Sequence, residues 1–206
     1  MRRPSPPQND PTNGDRSCSF RSALCAFTLL IFSLFQPCLI RAQQGRATES
    51  QIKAVYLYNF GKFVRWHSSS TGAESFDICI IGQNSFGSVL EATVAGEHID
   101  GNNIVVRNIT STQEAGHCKI LFVSSSESQR LKALLTAVKQ PNLLTVSDIP
   151  DFAERGGMIG LVNEEGRIRF EVNLAAVNDS RLTVSSELLK VAVRVLGAGQ
   201  PRGSDK

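Results

Sequence analysis

The chain has 206 residues, of which 41% are hydrophobic and 20% are charged. This composition excludes a wholly disordered protein, and the length predicts one domain or at most two small ones. The formal net charge is +3, and all of it lies in the first 42 residues, so the remaining body carries 17 basic and 17 acidic residues. A neutral body has no general attraction for nucleic acid or anionic lipid, and we expect no nucleic-acid partner.

Residues 1–42 have the order of a secretory signal peptide. A basic segment precedes 13 uncharged, mostly apolar residues at positions 23–35, and a short stretch then ends at Ala42. The apolar run is shorter than the roughly 20 residues that span a bilayer comfortably. We predict cleavage near Ala42 and a body located in the periplasm; the alternative is an uncleaved N-terminal membrane anchor.

In chain order the body predicts alternating helices and short strands. An amphipathic pattern at residues 49–66 indicates a first helix, with Val55 and Phe63 on its apolar face and Lys53 on another. The later elements are a strand at 77–81, a helix at 85–94, strands at 104–109 and 120–123, a helix at 127–138, a strand at 143–146, a hairpin of 158–162 and 167–172, and a last helix at 185–196.

This alternation predicts a single α/β domain over residues 49–197, followed by a polar tail at 198–206. Helices between short strands favour a mostly parallel sheet with flanking helices, and the hairpin adds a C-terminal antiparallel pair. The structured part is long enough for one hydrophobic core.

Two of the five cysteines, Cys79 and Cys118, lie outside the predicted signal peptide and remain after its cleavage. Cys79 lies within a predicted strand and Cys118 directly precedes another, so the two side chains can come within bridging distance. In an oxidising compartment they are a candidate disulfide; the alternative is two buried free thiols.

The sequence lacks the common catalytic and cofactor motifs. It has no G-x-G-x-x-G turn, no phosphate-binding loop, no G-x-S-x-G element and no metal-ligand spacing. We therefore expect no enzyme activity and no cofactor. Arg167, Arg169 and Glu171 alternate on one face of a predicted edge strand, which is either a solvated face or a partner-binding edge.

Six segments of the body match a known family when they are taken together. They are residues 55–66, 79–87, 117–123, 144–148 followed by 152–158, 166–176 and 182–189. They cover nearly the whole body from about residue 50 to 196, and their joint order is far more specific than any one of them. In this order the segments resemble the YfiR family.

The resemblance implies a small periplasmic α/β protein that regulates signalling. Family members of the best-known type bind the periplasmic domain of an inner-membrane diguanylate cyclase and hold it inactive, and an outer-membrane lipoprotein can sequester them. The family tends to form homodimers. Cys79 and Cys118 match its strand cysteines, which favours the disulfide, whereas a second cysteine pair found in some members has no counterpart here.

We therefore expect a non-enzymatic protein that inhibits a membrane signalling enzyme and lowers cyclic-di-GMP. The alternative is a periplasmic small-ligand binder or enzyme, whose site would lie at the carboxyl ends of the strands. Inhibition by contact needs a surface whose charges a partner can match, and glycines would let that partner approach the backbone. The candidate contact residues are Arg155, Gly156, Gly157, Arg167, Arg169 and Glu171.

Overall fold

In a computed structural model of the protein, residues 47–67 and 75–197 are described. They form part of one compact unit of the chain. The predicted signal peptide and the polar tail lie outside the described residues. No helix in the described ranges is long and apolar enough to cross a membrane.

The described chain folds into short strands and short helices. The strands are β1 (Val64–Trp66), β2 (Ser75–Ile81), β3 (His98–Ile99), β4 (Asn102–Ile109), β5 (Ile120–Val123), β6 (Leu144–Ser147), β7 (Ile159–Glu164), β8 (Arg167–Asn173), β9 (Leu182–Val184) and β10 (Arg194–Leu196). The α-helices are α1 (Glu49–Phe63), α2 (Val89–Val94), α3 (Leu131–Ala137), α4 (Leu174–Asp179) and α5 (Ser186–Val191), and two 3₁₀ helices cover Thr112–His117 and Ser125–Arg130.

Eight strands form one mostly parallel sheet, which confirms the predicted α/β class. Their order is β10-β8-β7-β6-β5-β2-β4-β3. The neighbours are parallel except at the β7–β8 hairpin and the short β3–β4 pair, which are antiparallel. Strands β1 and β9 form a separate antiparallel pair.

The two faces of the large sheet bury two separate hydrophobic clusters. On β2 the side chains of Ile78 and Ile80 enter the larger cluster, which α1 also covers, whereas Cys79 and Ile81 enter the smaller one. The central strands β5 and β6 are buried along their whole length because both faces are covered. This explains their continuous apolar sequences.

The first helix begins at a capping box and ends earlier than the sequence predicts. Thr48 and Gln51 each accept a hydrogen bond from the other's backbone N–H, which fixes the start of α1. The predicted helix end at residue 66 is wrong, because residues 64–66 leave the helix and pair with β9. The predicted faces are also wrong in part: Val55 and Phe63 are exposed, and Lys53 is buried.

The predicted last helix is wrong in its second half. Helix α5 stops at Val191, and residues 194–196 form β10, which pairs with residues 171–173 of β8 in parallel. The predicted edge position of β8 is therefore correct for only part of that strand. Its outer side is covered by β10 from Glu171 onward.

Candidate partner-binding surface

The β7–β8 hairpin holds the two predicted arginines in a fixed register. Glu165 and Gly166 at its tip have φ angles of 51° and 74°, as a type I′ turn requires. The Asn163 side chain accepts a hydrogen bond from the Gly166 N–H at 3.0 Å, and Glu164 stands opposite Arg167. The turn therefore sets which residues of β8 face solvent.

Arg167 and Arg169 are exposed because they alternate with buried residues of β8. Phe170 enters the core, while neither arginine forms an ion pair with any other described residue. Together with Glu164 and Glu165 they line an open groove of about 440 Å³. The hairpin thus presents charges of both signs that the described part of the chain leaves unmatched.

Glu171 differs from the two arginines because it is already paired. Arg194 on β10 binds it at both carboxylate oxygens, with Nε–Oε1 at 3.0 Å and Nη2–Oε2 at 2.9 Å. Arg194 also binds Glu154, and the hydrogen bonds that it donates to Glu171 and to Glu154 raise the pKa of its guanidinium. The Glu171 side chain is only 12% exposed. Its role in this structure is to hold β10 on β8.

Arg155 and its two glycines lie at a different place from the hairpin groove. The Arg155 side chain is exposed, and its Nη2 donates to the Ser128 carbonyl at 3.0 Å. Gly156 is exposed, has a φ of 99°, and lines a separate small cavity of about 100 Å³. These two residues remain accessible to a partner.

Gly157 is buried, so the interpretation that it lets a partner approach the backbone is wrong. A Cβ atom at this position would lie 2.1 Å from Cε1 of Phe152. The space beside Gly157 is thus filled by an aromatic ring of the protein itself, and its glycine is a packing requirement.

Cys79 and Cys118 form a disulfide, with their Cα atoms 5.8 Å apart. Cys79 lies in the middle of β2, and Cys118 directly follows the first 3₁₀ helix, two positions before β5 begins. Both side chains are buried in the smaller hydrophobic cluster. The bond fastens the end of the 3₁₀ helix to the sheet.

The carboxyl ends of β2 and β5 are where a small-ligand site would be expected, since the chain changes direction across the sheet between them. Here side chains of the protein fill the crevice. The Gln83 N–H donates to Ser126 Oγ at 2.9 Å, and a Cβ at Gly82 would lie 2.5 Å from the same oxygen. Glu127, which pairs with Arg130, is buried beside them. This geometry favours a closed sheet end over a ligand site.

Comparisons with known proteins identify a family and find two solved structures of low similarity. Two solved structures resemble the chain at low similarity. The first is a conserved domain protein from Vibrio cholerae O1 biovar eltor, with 11% sequence identity and a TM-score of 0.49; the match covers 69% of this chain and 59% of that one. The second is an ABC domain in complex with L-Trp from Streptococcus pneumonia, with 14% sequence identity and a TM-score of 0.42; the match covers 59% of this chain and 55% of that one. The chain thus spans less than two thirds of either structure.

No curated protein sequence matches the chain. The YfiR/HmsC-like family, by contrast, matches residues 50–193, which is most of the chain and nearly all of its described part. The protein therefore belongs to the YfiR/HmsC-like family.

Proposed function

We propose that the protein is a non-enzymatic periplasmic regulator that binds the periplasmic domain of an inner-membrane diguanylate cyclase and holds the enzyme inactive. Loss of the protein would then raise cyclic-di-GMP. Family membership over residues 50–193 supports a regulatory role. The observation that carries the contact surface is the pair of unmatched arginines, Arg167 and Arg169, on the β7–β8 hairpin.

A charged surface on a neutral body is suited to selective contact. Because the body has no net charge, long-range attraction to many acidic molecules is weak, and the local pattern of charges decides which partner binds. The I′ turn and the pairing with β7 hold the hairpin backbone before binding, so the partner needs to order only the side chains. Arg155 is a third exposed guanidinium, away from the hairpin groove, and we include it among the proposed contact residues.

Export, dimerisation and sequestration belong to the same proposal. Cleavage near Ala42 would place the body in the periplasm, and N-terminal sequencing of the periplasmic fraction should then begin around Gln43. We further propose that the protein forms a homodimer and that an outer-membrane lipoprotein can remove it from the cyclase. Sedimentation of the purified body tests the dimer, and co-purification with envelope lipoproteins tests the sequestration.

The decisive experiment compares cyclic-di-GMP in cells with and without the gene. The cyclase must be present and active, and complementation uses the wild-type gene, the triple variant Arg155→Glu/Arg167→Glu/Arg169→Glu, and Lys132→Glu. Lys132 is an exposed residue of α3 outside the proposed surface, so its reversal controls for one charge reversal elsewhere on the protein. Purified proteins are compared in parallel for binding to the periplasmic domain of the cyclase.

We expect deletion to raise cyclic-di-GMP and the triple variant to fail in complementation. Its dissociation constant for the cyclase domain should rise at least about tenfold, because attraction becomes repulsion at three sites, while its melting temperature stays near wild type. Unchanged cyclic-di-GMP after deletion would refute the regulatory role. Unchanged binding by the triple variant would refute only the surface.

A further inference from the structure

Among the described strands, none pairs with most of the outer edge of β4. Strand β4 pairs with β2 along residues 103–109, but β3 covers only Asn102 and Asn103 on the other side. Residues 104–109 therefore have a strand on one side alone within the described part of the chain. Every second N–H and C=O of this segment points away from the sheet, which makes it a template for another strand.

The segment also lacks the features that commonly protect a sheet edge. It contains no proline and no lysine, and its first three residues, Ile104, Val105 and Val106, are β-branched and only half-buried. Its one charged residue is Arg107, whose Nε is bound to the buried Asp77 at 2.6 Å. That ion pair holds the arginine side chain over the face of the sheet, so its charge does not prevent another strand from pairing with the edge.

A groove accompanies the open edge on each face of the sheet. On one face a groove of about 310 Å³ lies between α2 and β4; its floor includes Val94, Ile104 and Val106. Two exposed acids, Glu91 and Glu97, line the same groove. An added strand would direct alternate side chains into this acidic groove.

The groove on the opposite face is larger, about 730 Å³, and lies between the sheet and the first 3₁₀ helix. Asp77 binds Arg107, and Glu114 accepts hydrogen bonds from the Ser111 hydroxyl and from Thr110, which lower its pKa and keep it ionised. The terminal nitrogens of Arg107 make no hydrogen bond to any described residue and remain available. These nitrogens can donate hydrogen bonds to an acidic side chain of an added strand, and His117 lines the same groove.

We infer that the β4 edge accepts an extended segment of a partner protein as an added strand. Alternate side chains of that segment are acidic toward Arg107 and basic or apolar toward Glu91 and Glu97. The surface is distinct from the β7–β8 hairpin, and the inference goes beyond the proposed function without depending on it.

Charge complementarity favours a different protein over a second copy of this chain. If two copies pair their β4 edges antiparallel about a two-fold axis, each face of the sheet continues into the same face of the other copy. It would place the acidic grooves on the same side and bring Arg107 near its own equivalent, since the edge is only six residues long. A segment with opposite charges on its two sides avoids both repulsions.

The test uses the purified protein and a labelled ten-residue peptide that alternates lysine and glutamate at its centre. A control peptide of the same composition carries the lysines and the glutamates in two blocks. Binding is measured by fluorescence anisotropy, and hydrogen exchange of residues 104–109 reports main-chain pairing. Glu91→Lys changes the acidic groove, and Ala133→Lys adds a positive charge to an exposed position of α3 as a control.

We expect the alternating peptide to bind with a dissociation constant on the order of 100 µM. Every second amide of residues 104–109 should exchange quickly in the free protein and slowly with the peptide bound. Glu91→Lys should weaken binding about fivefold, and Ala133→Lys should not. Equal binding of the block peptide, or no added protection at about 1 mM alternating peptide, would overturn the inference. Protection that grows with protein concentration alone would overturn it too, in favour of a second copy.

Discussion

Lys53 and Asp148 form an ion pair inside the protein, with 2.6 Å between Nζ and Oδ2. Lys53 belongs to α1 and Asp148 follows the central strand β6, so the pair joins elements 95 positions apart. The two side chains are only 10% and 15% exposed. Glu49, one turn earlier on α1, binds the same ammonium group from a more exposed position. The pair therefore fixes the first helix against the carboxyl end of the sheet.

Asp148→Asn should destabilise the protein by about 2–4 kcal/mol, because it leaves the Lys53 charge buried with one exposed partner. Glu49→Gln should cost less than about 1 kcal/mol, since that carboxylate is largely exposed. Urea unfolding of both variants measures the difference. The double variant Lys53→Met/Asp148→Leu removes both charges and should recover most of the loss. A Glu49→Gln cost equal to that of Asp148→Asn would contradict this account.

The same pair predicts a loss of stability at alkaline pH. Burial lowers the pKa of Lys53, but the hydrogen bonds to Asp148 and Glu49 outweigh burial, so the pKa in the folded protein is raised. A raised pKa means that the stabilisation is complete below the unfolded value, near 10.4, and disappears as the pH rises through the folded value. Melting temperatures measured from pH 8 upward should fall above about pH 10. Lys53→Met should fall less steeply over that range, and an identical slope would exclude Lys53 as the cause.

The disulfide predicts a redox-dependent stability. Cys79 and Cys118 are 39 positions apart in the sequence, and for a loop of this length the chain-entropy account gives about 3–4 kcal/mol. Cys79→Ser should therefore lower the free energy of unfolding by about 2–4 kcal/mol. Reductant should destabilise the wild type and leave Cys79→Ser/Cys118→Ser unchanged. Peptide mapping without reductant should recover the linked pair, whereas two alkylatable thiols in native protein would disprove the bond.

The sequence predicts the strand positions well where burial alone decides them. Strand β5 lies at residues 120–123 as expected, since four apolar residues between polar ones fit no other element as well. The prediction of a helix through residue 196 is wrong, because Val195 and Leu196 continue the helical spacing of α5. They form a strand instead because β8 offers them a pairing edge, and three residues are too few for a strand pattern to show.

The sequence predicts those parts of the candidate surface that depend on the alternation of exposed and buried residues along a strand. The spacing of Arg167 and Arg169 places both on the exposed face of β8, and the structure agrees. The pairing of Glu171 was not predictable, because its partner Arg194 is 23 positions away on a strand that the sequence does not reveal. The burial of Lys53 was missed for a similar reason: its compensating charge, Asp148, is distant in sequence.

Gly157→Ala should destabilise the protein through its contact with Phe152. The new methyl carbon would lie 2.1 Å from one ring atom and 2.3 Å from another, while real contacts of this kind are longer than 3 Å. Phe152 is 1% exposed within the smaller hydrophobic cluster, so its ring cannot turn away without disturbing that packing. We expect a loss of about 1–3 kcal/mol, typical of an overpacked core.

Gly116→Ala is the matched control for that substitution. Gly116 is exposed, lies in the first 3₁₀ helix, and has no atom within 4 Å of its added methyl group, so its change should stay within about 0.5 kcal/mol. Chemical unfolding of both variants gives the comparison. Adding Phe152→Leu to Gly157→Ala should cost less than the sum of the two single changes, because the smaller side chain vacates the ring position. Strict additivity, or a Gly157→Ala protein as stable as the wild type, would show that Phe152 does not require a glycine at position 157.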